Sequence, residues 1–129
     1  SADSVLLEVA DHAGVAKAMQ NMDAGIFIIK PAYSKIASAP TKLGEFLGCG
    51  VPCLGNANVG DIADIIVGEK VGVVLSSFDA DSIRVAVEEL VCLTKQEGIQ
   101  AHCRDVALRY FSLKEGVRSF DRIYRELVV

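Results

Sequence analysis

The chain has 129 residues, of which 51% are apolar, and it carries a net charge of −4 at neutral pH. That length is enough for one domain with a single core and too short for two. The negative charge argues against nucleic acid as the main partner, because a phosphate backbone requires a basic surface. The sequence has neither an apolar run long enough to span a membrane nor a signal peptide, which predicts a cytoplasmic protein.

Hydrophobic runs alternate with amphipathic segments along the first part of the chain. The pattern predicts strands at residues 5–9, 24–29, 51–54 and 71–75, with helices at 15–22, before Gly50 and at 61–67. The run at 24–29 is apolar without interruption, which is typical of a strand buried on both faces of a parallel sheet. Strands that alternate with helices at this spacing form βαβ units. The sequence therefore predicts an α/β fold, a Rossmann-like parallel sheet flanked by helices.

The rest of the chain is predicted to be helical. One helix is capped by Asp79 or Asp81 and runs to about residue 96, a second spans 99–111, and a capping box at 112–115 opens the last. In the last helix apolar side chains recur every three to four residues; they are Leu113, Val117, Phe120, Tyr124 and Leu127. Such stripes usually pack in a core, so we expect this one to be buried, with an uncovered stripe as the alternative.

The cysteines do not form a metal-site pattern. They are Cys49, Cys53, Cys92 and Cys103, which lack the paired spacing of a zinc site, and His102-Cys103 is the only His–Cys neighbour pair in the sequence. We therefore expect buried free thiols, as in a reducing cytosol, and no metal.

The segment from Ser38 to Pro52 predicts the helix around which the chain is organised. Pro40 suits its first turn, Ser38 or Thr41 can cap it, and Gly50 ends it. One face is apolar and carries Leu43, Phe46, Leu47 and Gly50, whereas the other carries Thr41, Gly44, Glu45 and Gly48. The second face allows two interpretations: a ligand approaches the glycines closely, or the glycines let the helix pack tightly on a sheet while Glu45 is solvated.

A polar loop leads from the apolar run at 24–29 into this helix. It carries hydroxyls and lysines, namely Lys30, Tyr33, Ser34, Lys35 and Ser38. Ligands of open parallel sheets bind beyond the carboxyl ends of the strands, and a helix N-terminus there favours an anion such as phosphate. A solvated loop capped by Ser38 is the simpler alternative. The glycine-rich segment 55–60 and the turn at Asp11 and His12 are predicted at the same edge, as an ordinary turn and an ordinary surface histidine.

Two blocks of the sequence resemble a known family. They are Asp23-Ala24-Gly25-Ile26-Phe27 and Pro40-Thr41-Lys42-Leu43-Gly44-Glu45-Phe46-Leu47-Gly48-Cys49-Gly50-Val51-Pro52. In this order they are similar to the donor-binding, C-terminal half of GT-B glycosyltransferases of the large group 1, family 4-like type. The Pro-Thr-Lys-x-x-Glu block before a Gly-x-Pro strand is the specific part, and the likeness extends over nearly the whole chain.

The resemblance implies an enzyme that transfers a hexosyl group from a UDP- or GDP-linked sugar without a metal or other cofactor. In such enzymes the glutamate that matches Glu45 accepts hydrogen bonds from the ribose hydroxyls, which suits an acceptor-only carboxylate. The helix start at Thr41 and Lys42, together with Ser38 and Lys35, would lie at the diphosphate and stabilise charge on the leaving nucleotide. The base would lie near the turn that ends at His12, held largely by backbone.

The chain departs from the family pattern in two ways. Many relatives have a second glutamate eight positions before the first, where this chain has Ala37, so the resemblance leaves retaining stereochemistry open. Full enzymes also have an N-terminal acceptor domain and further opening βα units. The resemblance therefore implies a fragment: the nucleotide-sugar-binding domain over residues 1–129, incomplete at its N-terminal end and inactive alone.

The partners implied are a nucleotide sugar and that acceptor domain. Any contact with a membrane would be made only through the acceptor domain. In the full enzymes the last helix crosses back toward the acceptor domain. Two other functions stay open. One is a non-catalytic Rossmann-like nucleotide-binding or regulatory module, which Ala37 favours; the other is a GT-B-like sugar-nucleotide epimerase.

Overall fold

A computed structural model describes residues 4–30, 32–39 and 41–128 and shows a parallel sheet with helices on both faces. In chain order the elements are α1 (His12–Met19), β1 (Gly25–Ile26), a 3-10 helix (Tyr33–Lys35), α2 (Thr41–Gly48), β2 (Cys53–Asn56), α3 (Ile62–Gly68), β3 (Gly72–Leu75), α4 (Ala80–Thr94), α5 (Ile99–Phe111) and α6 (Leu113–Leu127). No helix in these ranges combines the length and the hydropathy needed to cross a bilayer.

The sheet has three strands in the order β1-β2-β3, and both pairings are parallel. Cys53 of β2 lies opposite Gly25 of β1 on one side and opposite Gly72 of β3 on the other. The chain reaches β2 through α2 and β3 through α3, so each parallel pair is joined by a helix, as parallel strands require. The predicted α/β class with a flanked parallel sheet is confirmed, and the arrangement is consistent with a Rossmann-like fold.

The core has two parts, one on each face of the sheet. The larger part includes Leu43 and Leu47 of α2 together with buried residues of α1, α3 and α5, which confirms the predicted apolar face of α2. Phe46 lies against Gly25, where a Cβ would come within 2.7 Å of its ring. The smaller part packs α4 onto β2 and β3 through Leu54, Leu75, Ala86 and Leu90.

Two of the strand predictions are corrected. Residues 5–9 form no strand, and Val5, Leu6, Leu7 and Val9 are between 79% and 103% exposed. The run at 24–29 pairs as a strand only over Gly25–Ile26, and its burial alternates, with Phe27 inside and Ile26 and Ile28 exposed. Ile26 and Ile28 are exposed because they lie on the face of the sheet that α4 covers, and α4 packs on β2 and β3 rather than on β1. With no described strand beyond it, β1 is the edge of the described sheet.

The helix boundaries follow their caps. α1 begins at His12 rather than at residue 15 because the Asp11 carboxylate accepts a hydrogen bond from the Gly14 N–H at 2.8 Å, so the predicted turn is a helix cap. The caps predicted at Asp79 and Ser112 are confirmed by their bonds to the backbone of the following turn. Asp61 occupies the N-cap position of α3, but its side chain makes no capping bond.

Burial of the last helix was predicted wrongly. α6 contains no buried residue, and its apolar stripe is between 58% and 83% exposed. Periodicity shows that a helix has an apolar face, but it does not show whether anything in the same chain covers that face.

The buried-thiol prediction also fails for Cys92, which is exposed on α4, whereas Cys53 and Cys103 are buried.

Glu69, the residue after α3, ties that helix to α5. Both of its carboxylate oxygens accept from the Arg109 guanidinium, at 3.1 and 2.6 Å, and one of them also accepts from the Tyr110 hydroxyl at 2.6 Å. The His102 ring contacts the Glu69 carbonyl oxygen at 2.6 Å. The Arg109 and Tyr110 hydrogen bonds lower the pKa of the Glu69 carboxyl.

This lowered pKa makes a testable contribution to the pH dependence of stability. A carboxyl with a depressed pKa stabilises the fold above its ordinary pKa of about 4.3 and loses that contribution as the pH falls through the folded-state value. We expect Glu69→Gln to unfold at a lower urea concentration than the native chain at pH 7. This gap between the two unfolding midpoints should close below about pH 4. Glu88→Gln on α4 is the control. A gap that stays constant with pH would contradict this role for Glu69.

Candidate functional site

The predicted site lies where the chain leaves β1 and enters α2. After β1 the chain runs through residues 27–39, with the one 3-10 turn Tyr33–Lys35, and α2 begins at Thr41. Pro40, predicted for the first helical turn, lies outside the described residues. The first turn of α2 therefore follows the carboxyl end of an edge strand, which is where open parallel sheets bind ligands.

Asn56 fixes the start of this loop, a role that was not predicted from the sequence. It is 1% exposed at the end of β2, and its amide makes both bonds that a neighbouring strand would make to Ile29. Its Oδ1 accepts from the Ile29 N–H at 2.8 Å, while its Nδ2 donates to the carbonyl oxygens of Ile29 at 2.8 Å and Ala57 at 3.2 Å. The signal in the sequence was a polar residue inside the predicted glycine-rich turn, two positions after a predicted strand.

The far end of the loop rests on the turn after β2. The Gly60 N–H donates to the Ile36 carbonyl oxygen at 2.9 Å, and the Gly60 φ angle is +49°. A Cβ at this position would overlap the carbonyl oxygen of Ser38. The predicted turn is confirmed over residues 57–60, whereas Gly55 and Asn56 belong to β2. The close approach of Gly60 is to this chain's own loop.

His12 and Glu45 share one groove. The groove has a volume of about 100 Å³, and its lining comes from α1 and from α2 with the residue just beyond it: His12, Val15, Ala16, Met19, Glu45 and Cys49. Within this lining the Cys49 thiol donates to the Ala16 carbonyl oxygen at 3.7 Å. Residues 33 positions apart are therefore brought together because each lies on the facing side of its helix.

Lys42 and Glu45 form an ion pair on the exposed side of α2. The Lys42 Nζ is 3.1 Å from a Glu45 carboxylate oxygen, and their side chains are 53% and 41% exposed. Exposed pairs at this spacing contribute at most about 0.5 kcal/mol, so a ligand can displace one partner at little cost. The pair keeps a cation and a carboxylate within one turn of the α2 N-terminus.

The other predicted site residues lie in the loop before α2. Lys35 ends the 3-10 helix and is exposed, and Ser38 is half-buried, with its N–H bonded to the Lys35 carbonyl oxygen at 3.1 Å. Within the ranges that the structure covers, neither side chain bonds to Lys42 or Glu45. The structure thus groups His12, Lys42 and Glu45, with Thr41 at the helix start, and leaves Lys35 and Ser38 in the adjoining loop.

The glycine face of α2 serves mainly for packing. A Cβ at Gly44 would lie 2.9 Å from the ring of Phe111, so this glycine admits α5 rather than a ligand. Gly48 has open space around it. The tight-packing interpretation is therefore confirmed for Gly44, although the neighbour is a helix and not the predicted sheet.

The two buried thiols, Cys53 and Cys103, do not offer a second reactive site. Burial raises the pKa of Cys103 to about 11 and raises that of Cys53 further, with the neighbouring Cys103 adding to the effect. Both sulfurs are therefore protonated at neutral pH and behave as small apolar groups. Among the residues whose placement is known, no three His, Cys, Asp or Glu side chains cluster in a way that could hold a metal ion.

No protein-family model matches the chain, and no match was found to a curated protein or to a solved structure. The function is therefore inferred from the residues of the chain and their geometry.

Proposed function

We propose that the chain is the donor-binding domain of a cytoplasmic, metal-independent glycosyltransferase, the C-terminal half of a GT-B fold, that uses a UDP- or GDP-linked sugar. The observation that carries the proposal is the grouping of His12, Lys42 and Glu45 around the first turns of α2, next to the carboxyl end of β1. The sequence resemblance assigns its specific motif to this same turn.

Glu45 is the proposed ribose ligand. Its carboxylate is partly exposed, lines the groove with His12, and can accept hydrogen bonds from two vicinal hydroxyls once its pairing with Lys42 is exchanged. His12 stands across the groove, where the base would be held. An acceptor-only group binds a diol and repels a phosphate, so Glu45 orients the nucleotide as well as binding it.

The diphosphate is proposed to lie at the start of α2. The backbone N–H groups of the first turn and the positive end of the helix dipole favour an anion there. Lys42 adds a full positive charge in that turn, Thr41 begins the helix, and Ser38 and Lys35 lie in the loop before it. Fixed positive charge at this point stabilises the negative charge that develops on the leaving nucleotide.

The groove by itself is smaller than a nucleotide-sugar pocket. Its volume is about 100 Å³, against roughly 300–1,000 Å³ for sites that enclose ligands of that size. We therefore propose that this domain forms one wall of the donor site and that the acceptor half forms the other wall. It follows that the chain alone binds the donor weakly and transfers no sugar, because transfer requires donor and acceptor to be held together.

Calorimetric titration with UDP and GDP tests the proposal. We expect one of the two nucleotides to bind, and Glu45→Ala to weaken its binding about tenfold to a hundredfold, since hydrogen bonds to a charged group contribute about 1.5–3 kcal/mol. The 2′-deoxy form of that nucleotide should bind the native chain weakly and lose most of its sensitivity to Glu45→Ala. Lys42→Ala should weaken the binding of the nucleoside diphosphate more than the binding of the corresponding nucleoside.

The matched controls are Glu88→Ala and Arg84→Ala, which remove a similarly exposed helical ion pair from α4. They should leave nucleotide binding unchanged. Glu45→Ala should not weaken the binding of inorganic pyrophosphate, because the substitution releases Lys42 from its ion pair with Glu45. Failure of both nucleotides to bind at millimolar concentration would refute the donor-binding proposal.

A non-catalytic nucleotide-binding module is the second candidate, and Ala37 is the observation that favours it. Ala37 is exposed in the loop before α2 and offers no polar group to a sugar. If UDP and the corresponding UDP-sugar bind with equal affinity even when the acceptor half is present, the sugar is not recognised and this second function is favoured.

A further inference from the structure

β3 ends the described sheet, so one of its edges is open. The carbonyl oxygens of Val71 and Leu75 accept backbone hydrogen bonds from the β2 side, at 3.1 and 3.0 Å. Because backbone groups point to alternate sides along a strand, those of Gly72 and Val74 point away from β2. No described residue pairs with them there. The outer edge of β3 therefore offers free donors and acceptors to a further strand.

A groove follows this edge, with α4 on one side and the end of α3 on the other. Its two adjoining parts, of about 310 and 460 Å³, share Val73, Val74 and Glu89. Val67 lines the second part, where α3 ends. Along the strand the lining covers residues 72–76, which is the whole of β3 and one residue beyond. The groove can therefore hold an extended segment of chain.

The α4 wall of the first part reads acid, apolar, acid. Asp81, Val85 and Glu89 follow one another at four-residue intervals, so they share one face of the helix. Asp81 makes one exposed contact, 3.8 Å from Arg84, and Glu89 makes no ion pair with any described residue. As far as the described residues go, the only cation that lines the groove is Lys70 in the second part. Both carboxylates are therefore available to a basic partner.

The spacing of this wall matches a strand with base, apolar and base on one side. Asp81 and Glu89 are eight residues apart, which on a helix is about 12 Å. An extended chain covers that distance in about four residues, and side chains two apart point the same way. Basic residues at positions i and i+4 would thus meet the two carboxylates, while the residue at i+2 packs on Val85. The residues between them point toward α3, where Val67 and Val74 are apolar.

A second copy of this chain does not fit the groove. Antiparallel pairing of two β3 edges around a twofold axis would bring the two α4 helices together in opposite directions. The acid, apolar, acid wall reads the same both ways, so Asp81 would face Glu89 of the other copy. Like charges placed in this way repel, which favours a different protein as the source of the strand.

The further units that the proposed function implies do not cover this edge either. A doubly wound sheet has the strand order 3-2-1-4-5-6, and β1, β2 and β3 follow one another as its last three strands do. Opening strands would then pair beyond β1, and an acceptor half would face the carboxyl ends of the strands. β3 is an outer edge in the whole domain as well.

We propose that the free edge of β3 binds an extended segment of a partner protein as an added strand, with basic residues at i and i+4 against Asp81 and Glu89. Backbone pairing with Gly72 and Val74 holds the segment, and the charges of α4 select it. The site is separate from the groove that His12 and Glu45 line, because that groove is formed by α1 and α2.

The heptapeptide Thr-Lys-Val-Val-Val-Lys-Thr is the probe, titrated into the full 129-residue chain and followed by NMR. We expect saturable binding that slows the amide exchange of Gly72 and Val74, whose N–H groups then donate to the peptide. Thr-Glu-Val-Val-Val-Glu-Thr should bind at least about tenfold more weakly, because two attractive pairs become repulsive. Thr-Lys-Lys-Val-Val-Val-Thr has the composition of the probe but places its lysines on opposite sides of the strand, so it should also bind weakly.

Charge reversal on α4 tests the recognition. Glu89→Lys should weaken the binding of the lysine probe about tenfold and strengthen the binding of the glutamate peptide. Glu88→Lys is the matched control, because Glu88 is exposed on the same helix, pairs with Arg84 and does not line the groove. It should bind both peptides as the native chain does. UDP and GDP titrations of Glu89→Lys should match those of the native chain, which separates this site from the donor site.

Failure of the lysine probe to bind at millimolar concentration would overturn the proposal. Equal binding of the lysine probe and the glutamate peptide would overturn it too, since the wall of α4 would then select nothing. Binding that leaves the amide exchange of Gly72 and Val74 unchanged would place the peptide on another surface, with the same consequence.

Discussion

Asn56→Ala is expected to lower the free energy of unfolding by about 2–4 kcal/mol, because it leaves the N–H and the carbonyl of Ile29 without partners in a largely buried place. The native amide satisfies both groups at 2.8 Å and so replaces strand pairing at the end of β1. Urea unfolding measures the loss. Nucleotide binding should fall as well, since Ile29 leads directly into the loop that reaches α2.

Asn21→Ala is the matched control for this experiment. Asn21 is exposed and its amide makes a single bond, to the Lys17 carbonyl oxygen at 3.2 Å. Its replacement should change stability by less than about 0.5 kcal/mol, as is usual for surface substitutions. Equal effects of the two variants would show that the buried amide does not hold β1 in place.

The second large effect is expected at Gly60. Alanine there must adopt a positive φ angle and must place its Cβ where the Ser38 carbonyl oxygen lies. We expect Gly60→Ala to lose about 2 kcal/mol or more of stability. It should also move the loop at residues 32–39 away from the turn. Hydrogen exchange of peptides covering 32–39 and Gly60 should therefore speed up.

Gly48→Ala distinguishes this effect from a general cost of replacing glycine. Gly48 lies in α2 with open space around its Cα, so alanine should leave stability unchanged or raise it by up to about 1 kcal/mol. The 32–39 loop should exchange as in the native chain. If Gly60→Ala exchanges at the native rate, the turn does not support the loop.

Together these contacts explain how a small sheet holds a site at its edge. β1 has only two paired residues, too few to position a loop by strand pairing alone. Asn56 fixes the beginning of the loop and Gly60 fixes its end, so the first turn of α2 is held relative to β2. The positions of the residues proposed to bind the donor therefore depend on Asn56 and Gly60, which are not themselves proposed to contact the donor.

Local sequence signals accounted for most elements. The caps at Asp79 and Ser112, the apolar face of α2 and the span of α5 were predicted from neighbours within one or two turns, and the structure has them. Of the predicted site residues, His12 and Glu45 line one groove and Glu45 pairs with Lys42, while their role in donor binding stays a prediction. Lys35 and Ser38 remain in the neighbouring loop.

The sequence by itself determined where most helices form and which side of each is apolar, because propensity, capping and periodicity act between residues that are close in the chain. Only the tertiary structure decided what each apolar side meets. It leaves residues 5–9 unpaired and the stripe of α6 uncovered, and it sets Phe111 against Gly44. It also gives the buried Asn56 its role, because its partner Ile29 lies 27 residues away and only the order of the strands brings the two together.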